Sequence, residues 1–432
     1  MTMLYARPMT SRLLGDDPSR GTVDLAQHIR AYGPAPIPDD AYPAWRESIL
    51  LEIERSGLTG RGGAGFPSFR KAQAMNATGS HPVLLVNGME GEPASTKDQY
   101  LLTVTPHLVL DGAEILAMAL GAAKVVVCVP RTRRAVVFSL TRALAERQAL
   151  RQPGPGFEVA QLAEGYVRGE ESALVSAVAG KGGTPSFRPD KAIPLHIGRQ
   201  PALVHNAETL AHIGMVARYG GQWFSQVGAP EAPGTCLVTV SGAVAHPGVL
   251  EVDTGTPIEH IIALAGAPDV VQAVLVGGYG GTWVSADEAA TPFSPSALRA
   301  VGAAMGAGAL AVLPVGVCGL AETQRMASYM AGQSAGQCGP CVFGLPAIAT
   351  DLDLLAKAEA GQQDLDRLRS RCRLVTGRGA CRHPDGVARL VESALRVFDA
   401  DLERHLASRG CPNVRQAGLF MFPDESRGRW AA

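Results

Sequence analysis

The sequence predicts an α/β protein in three parts: a parallel α/β domain, a small β-rich module and a closing helical bundle. Three observations carry this expectation. Strand-like apolar runs alternate with helical segments between about residues 45 and 149, a pattern that builds parallel sheets. A proline–glycine break at Pro230 to Gly234 precedes two short strand-like runs. From residue 294 onward the apolar residues recur at helical spacing. The length of 432 residues fits about three domains.

Residues 1–43 are rich in Pro, Gly and Asp and show no sustained periodicity, so they read as an N-terminal extension without assigned chemistry. Trp45, Ile49, Leu50 and Ile53 then fall on one helical face, and Gly57 stands where that helix should stop. His81 to Val86 reads as a short buried strand, 107–121 as a helix, Lys124 to Val129 as a strand and 131–149 as a helix. Beyond the break, Thr235 to Ser241 and Val249 to Asp253 read as strands joined around His246, Pro247 and Gly248. Thr256 followed by Pro257 has the form of an N-cap with proline at the first helical position, and the apolar run Val270 to Val276 follows that short helix. The bundle is expected over 319–332, 343–359, 362–374 and 384–407. The last of these carries Val387, Leu390, Val391, Ala394, Leu395, Phe398, Leu402 and Leu406 on one stripe.

Composition narrows the function. Hydrophobic residues make up 46% and charged residues 18%, with a mean hydropathy of +0.09, which is too apolar for intrinsic disorder. Lys and Arg number 39 against 40 Asp and Glu, and a net charge of -1 argues against a nucleic-acid partner held by a strong basic field. The longest apolar run, Pro106 to Pro130, contains Asp111, Glu114 and Lys124, so no direct membrane span is expected. The first residues have no apolar core of signal-peptide length, and a cytoplasmic location follows as an expectation. In a reducing compartment the eight scattered cysteines favour free thiols and metal ligation over disulfides.

Five segments carry chemistry. Gly60-Arg61-Gly62-Gly63-Ala64-Gly65-Phe66-Pro67 contains G-x-G-x-x-G, but a helix precedes it and a proline lies just beyond, so the usual strand–turn–helix dinucleotide fingerprint is rejected. What remains is a stretch of bare backbone amides that a planar or phosphorylated ligand can approach, with Arg61 able to add charge. Asn87-Gly88-Met89-Glu90-Gly91-Glu92-Pro93 follows a strand directly and so sits at its carboxyl end, where open α/β sheets bind ligands. Gly165 to Ala173 and His205-Asn206-Ala207-Glu208-Thr209 are the third and fourth; each taken alone reads first as a capped helix start. The fifth is Ser334 to Cys341, with Cys338 and Cys341 in a C-x-x-C, followed forty residues later by Cys381. That spacing fits an iron–sulfur cluster pinning two helices, and a zinc site would need a fourth ligand from Cys372, His383 or Cys318.

In this order the five segments resemble the NADH-binding flavoprotein subunit of respiratory complex I, the family of NADH:quinone oxidoreductase F-subunits, with its soluble NAD-linked hydrogenase and formate dehydrogenase relatives. The resemblance runs from about Arg46 to about Leu406. It implies a Rossmann-like domain for FMN and NADH over 44–230, a small ubiquitin-like (SLBB, β-grasp) domain over 231–290, a helical bundle with an iron–sulfur site over 291–408, and a tail over 409–432. On that basis Gly60, Arg61, Gly62, Gly63, Ala64 and Lys71 would cradle FMN, and Phe66 would be a retained aromatic platform for cofactor binding. Asn87, Glu90 and Glu92 would lie where flavin and nicotinamide meet, with Glu92 the candidate catalytic residue. Gly169, Glu170 and Glu171 match the family's G-E-E, and Asn206 and Thr209 match its N-N-V-E-T. Cys338, Cys341 and Cys381 would hold a 4Fe-4S cluster.

Departures from the pattern shape the expectation. Met89 replaces an aspartate, Ala72-Gln73-Ala74 replace aromatics, and the family's K-P-P-F/Y segment is altered around Asp190 to Pro194. Ala335 stands in place of the first cluster ligand. Either another group completes the cluster, or a three-ligand cluster forms, or the site is empty; the expectation is a cluster. The implied function is a flavoprotein oxidoreductase passing electrons from NADH or NADPH through FMN and the cluster to a redox partner, either a ferredoxin-like subunit or a larger electron-transfer complex that would hold the chain at a membrane only indirectly. The alternative is an FMN and iron–sulfur relay or scaffold that no longer oxidises NADH.

Overall fold

The computed structural model describes residues 11–15, 21–38, 42–77, 79–150, 154–189, 193–407, 411, 418–424 and 429–431. The first sheet has the strand order Gly156–Leu162, Lys124–Pro130, Val83–Asn87, Gln200–Asn206, Leu195–Ile197. Its first four strands are parallel and the short edge strand is antiparallel. The central segment, Val83-Leu84-Leu85-Val86, is apolar on both faces because helices cover both. From Val83–Asn87 the chain winds outward through Lys124–Pro130 on one side, while Gln200–Asn206 flanks it on the other. The switch point of the sheet therefore lies between those two strands, the place where such sheets open a crevice. Register puts Asn87 opposite Asn206 at the carboxyl ends, so two polar side chains meet at that crevice.

The helix Pro43–Ser56 starts on proline, buries Trp45, Ile49 and Ile53, and ends at Gly57 in the left-handed region (φ 62°). The glycine loop follows it and leads into the helix Ser68–Asn76. Pro106–Ala119 and Ala207–Tyr219 cross so closely that a Cβ on Gly112 would overlap the Leu210 carbonyl. The preceding helix Lys97–Val104 was not expected from the sequence; it is short and carries almost no amphipathic pattern.

The described part of the N-terminal segment packs on the first domain. Leu13 is fully buried in the first core, the Arg12 guanidinium lies 4.0 Å over the Trp223 ring, and Leu25–Tyr32 forms a helix closed by an Asp24–Gln27 capping box. The sequence missed this because an eight-residue helix is too short for a clear period.

The second sheet is mixed, in the order Thr282–Ser285, Val271–Val276, Ala309–Pro314, Thr235–Gly242, Gly248–Asp253, with the helix Ile258–Leu264 against one face. This is the ubiquitin-like β-grasp arrangement. Ala309–Pro314 corrects the expected boundary at 290: it pairs parallel with Thr235–Gly242 and antiparallel with Val271–Val276, so the sheet closes only at Pro314. Thr256 is also corrected, because the helix begins one residue later behind Pro257, and the Thr256 hydroxyl donates to the Asp253 carbonyl instead.

The other face of this sheet packs on the bundle, where the Trp283 indole donates to Thr323 Oγ1 at 2.9 Å. The bundle comprises Gly319–Gly332, Leu345–Ala356, Gln362–Val375, His383–Val397 and Asp399–Leu406. The single helix expected over 384–407 breaks at Phe398 (φ -106°, ψ 36°), whose ring turns inward against Trp283 at 5.1 Å. Among the described residues no single helix is long and apolar enough to cross a membrane.

Candidate functional site

A cavity of about 500 Å³ opens at the switch point, and a second of about 310 Å³ adjoins it, with Gly62, Gly63, Asn87, Gly169, Glu170, Asn206 and Cys381 lining both. Their combined size suits a nucleotide cofactor. One wall is the glycine loop. Arg61 N–H donates to Thr209 Oγ1 at 2.9 Å, which fixes that loop on the helix Ala207–Tyr219. A Cβ on Gly62 would stand 3.3 Å from the Asn206 side chain, and one on Gly63 (φ 98°) 3.1 Å from the Gly306 carbonyl, so both positions favour glycine.

The strand ends supply the polar groups. Asn87 Nδ2 donates to the Gly169 carbonyl at 2.8 Å and its Oδ1 accepts from Met89 N–H, so one side chain joins two loops. Gly169 admits no side chain, since a Cβ there would overlap the Met89 carbonyl. Glu170 caps the helix Glu171–Val178 and Asn206 caps Ala207–Tyr219, so the cap reading holds while both residues also line the cavity. Asn206 Nδ2 donates to Asp98 Oδ2 at 2.6 Å. Lys71 Nζ reaches Glu171 at 2.9 Å and the Val204 carbonyl at 3.2 Å, placing a cation on the cavity wall. Gly60, Ala64, Phe66 and Thr209 complete that wall.

Glu92 is 8% exposed in the second cavity. It accepts from Tyr166 Oη at 2.9 Å and Ala94 N–H at 3.1 Å, and the Gly278 turn closes on it. Burial pushes its pKa up to about 7, against the pull of those donors.

Two expected ligand-facing residues, Arg61 and Glu90, line the second cavity and also hold partners within the chain. The Arg61 guanidinium donates to the Pro233 and Thr235 carbonyls at 2.7 and 3.1 Å, so it ties the loop to the second sheet. Glu90 accepts from Ser95 Oγ at 2.6 Å and from the amides of Asp98 and Gln99 at the start of Lys97–Val104.

Several cavity residues escaped the sequence reading. Tyr166, the buried pair Lys97 and Asp98, Arg188 and the exposed Phe187 all line it. Asp98, pushed up to about 6 by burial, and Lys97, whose own pKa is raised, sit 2.9 Å apart, and Lys97 reaches Glu208 at the same distance. Phe187 is 72% exposed and supplies an aromatic face in addition to Phe66. Of the altered segment at Asp190 to Pro194, residues 190–192 lie outside the described residues.

Cys381 brings the bundle to the same cavities. Burial pushes the Cys341 thiol up to about 12, the neighbouring Cys338 and Cys381 thiols adding to the rise, and Cys341 N–H donates to the Cys338 carbonyl at 3.0 Å. Cys341 lies in a π-helical turn, Pro340–Gly344, a geometry common at functional sites. Three thiols on these two segments suit three corners of an iron–sulfur cluster. Cys372 faces other groups inside the bundle, and Cys318 belongs to a different cluster of side chains.

Comparison with known proteins agrees with this architecture. Residues 53–215 match the Nuo51 FMN-binding domain, 237–271 the SLBB domain, and 321–405 the NADH-ubiquinone oxidoreductase-F iron-sulfur binding region. The chain is 28% identical over 380 residues to the second F-subunit of NADH-quinone oxidoreductase in Rhizobium meliloti, covering 85% of this chain and 90% of that one. It is 28% identical over 414 residues to the corresponding NADH-quinone oxidoreductase chain of Mycobacterium bovis, covering 92% and 93%. A solved NAD+-reducing [NiFe]-hydrogenase chain, in its air-oxidized state, superposes with a TM-score of 0.77 at 30% identity, over 84% of this chain. This protein spans only 63% of that hydrogenase chain. The Nuo51-type cavity domain, the SLBB sheet and the thiol-bearing bundle together make this chain similar to the F subunits of NADH-quinone oxidoreductase.

Proposed function

We propose that this chain takes electrons from NADH or NADPH into bound FMN and passes them through an iron–sulfur centre on Cys338, Cys341 and Cys381 to a partner electron carrier. The observation that carries the reading is that the cavity at the switch point and the thiol group share a wall at Cys381. Bound FMN supplies the conversion of a two-electron donor into single-electron steps, and the protein supplies binding and orientation. The amides of Gly62 to Ala64, the Lys71 ammonium, Asn87, Asn206 and Thr209 would hold the flavin. Phe66 and Phe187 offer stacking faces beside Gly169, Glu170 and Glu171. Glu92, with a pKa near 7, holds a proton at its carboxyl over part of the neutral range and hydrogen-bonds a nicotinamide amide or ribose hydroxyl without a fixed charge.

The centre is read as a cluster with three protein thiolates, Ala335 leaving one corner to a non-protein ligand. Anaerobically purified protein should contain FMN, iron and acid-labile sulfide, and NADH should bleach its flavin rapidly. Retained FMN that stays yellow with both NADH and NADPH would instead make the chain a relay. Ala335→Cys should leave the iron per chain unchanged and protect the iron at that corner, so that air oxidation no longer produces the three-iron electron paramagnetic resonance signal expected of the unsubstituted protein. The partner is a redox protein of the ferredoxin type or a larger complex, tested by co-purification from native cells.

A further inference from the structure

At the far end of the bundle from the flavin cavity, three metal-binding side chains converge without any role in the chemistry above. Cys318 precedes the helix Gly319–Gly332, His405 lies on Asp399–Leu406, and Cys411 follows it. Their ligand atoms all lie within 4.8 Å of one another. His405 Nδ1 sits 2.7 Å from the Leu355 carbonyl, an acceptor only, so that nitrogen carries the proton and Nε2 presents its lone pair. Nε2 points at Cys318 Sγ, 3.7 Å away. A ring held by a backbone carbonyl through one nitrogen, with the other nitrogen free, is the arrangement that orients histidine ligands in metal sites. Tetrahedral zinc places two thiolate sulfurs about 3.8 Å apart and sulfur and imidazole nitrogen about 3.6 Å apart, so the observed spacing needs little adjustment.

We infer that Cys318, His405 and Cys411 form a structural zinc site, separate from the flavin and iron–sulfur chemistry. Two thiolates and an imidazole select zinc over magnesium or calcium, which prefer oxygen. Cys318 and His405 are buried, whereas Cys411 is half-buried, so the fourth position faces solvent on the Cys411 side and takes a water. The site joins the first and last helices of the bundle to the C-terminal segment. That segment returns across Gly319–Gly332, where Gly418 and Leu419 N–H groups donate to the buried Glu322 and Tyr279 Oη donates to the Met421 carbonyl at 2.6 Å. Zinc would lock that strap in place.

The test uses the full chain carrying Cys338→Ser and Cys341→Ser, so that the iron–sulfur thiols cannot report. After exposure to Zn²⁺ and gel filtration, one zinc per chain should remain. Co²⁺ in its place should show the intense visible bands of tetrahedral cobalt with a thiolate charge-transfer band. Adding Cys411→Ser should weaken zinc binding at least tenfold and abolish the zinc-dependent rise in melting temperature. Adding Cys372→Ser, a buried bundle cysteine outside the triad, should change neither. Cys411 is half-buried, so its substitution leaves the core intact, and circular dichroism would verify this. A chain that retains no zinc, or equal affinity with and without Cys411, would overturn the assignment.

Discussion

Glu92 is the residue whose environment most directly predicts a measurable behaviour. Its pKa, raised by burial to about 7, exceeds the ordinary carboxylate value of 4.5, so the folded protein binds a proton more tightly than the unfolded chain between those limits. The stability contribution is therefore complete below pH 4.5, declines as the pH rises, and levels off above about 7, a loss on the order of 3 kcal/mol. Glu92→Gln, a neutral mimic of the protonated acid, should flatten that decline, as read from urea midpoints at pH 5 and pH 8. Identical slopes in the two proteins would refute the burial argument. Lys71 makes a complementary case. Its ion pair with Glu171 is partly exposed, with side chains 28% and 36% accessible, and such pairs contribute under about 1 kcal/mol to folding. Lys71→Met should thus barely move the melting temperature while weakening FMN binding roughly tenfold in flavin fluorescence titrations, the value of about one charge-assisted contact. The sequence exposed Lys71, Asn87 and Asn206 because they follow recognisable motifs. It gave no sign that Arg61 and Glu90 also hold partners across the fold, because such contacts, here with the Pro233 and Thr235 carbonyls and the Lys97–Val104 amides, leave no local trace.

At the level of elements, legibility followed pattern strength. Pro43–Ser56 was readable from its apolar face and its terminal Gly57, and Val83–Asn87 from an unbroken apolar run. Lys97–Val104 and Ala309–Pro314 were not. The first is a short helix, and the second is a strand whose partners, Thr235–Gly242 and Val271–Val276, lie far away in sequence. The glycine loop was legible as a ligand loop, but the physical need for each glycine was not. Gly63 has φ 98° and a Cβ there would come within 3.1 Å of the Gly306 carbonyl, whereas Gly65 has φ 61° with open space around it. Gly63→Ala should therefore cost about 1–3 kcal/mol and expel flavin, because the loop must move off the Gly306 turn. Gly65→Ala should cost about 1 kcal/mol, through its backbone conformation alone, and keep flavin. Thermal melts with and without FMN separate the two outcomes, and equal flavin retention would remove the loop from the binding account.

Over the whole molecule, the active cavity exists only because three units meet: the first sheet supplies Asn87 and Asn206, the Gly277–Gly278 turn of the second closes on Glu92, and the bundle supplies Cys381. The joint between the first two units is a set of buried hydrogen bonds backed by an ionic cluster on the first unit's side. Lys97 Nζ lies 2.9 Å from both Asp98 and Glu208, while Glu208 accepts the Leu237 amide of the second sheet at 2.8 Å and Thr96 N–H donates to Thr239 Oγ1 at 3.0 Å. Lys97 pulls Glu208 down to about 2 despite its burial, so that carboxylate is ionised across the working pH range. Replacing such a cation leaves two desolvated carboxylates unopposed, which costs about 3–5 kcal/mol, although a well-packed neutral set in the same space is often as stable as the ionic one. Lys97→Met should accordingly lower the melting temperature sharply and split the single calorimetric transition, the first sheet and the β-grasp sheet melting apart. Lys97→Met with Asp98→Asn and Glu208→Gln should recover more than half of the loss and restore one transition, since no uncompensated charge remains. If the triple variant were no more stable than Lys97→Met alone, the joint would owe its strength to the shape of the lysine stem and not to its charge.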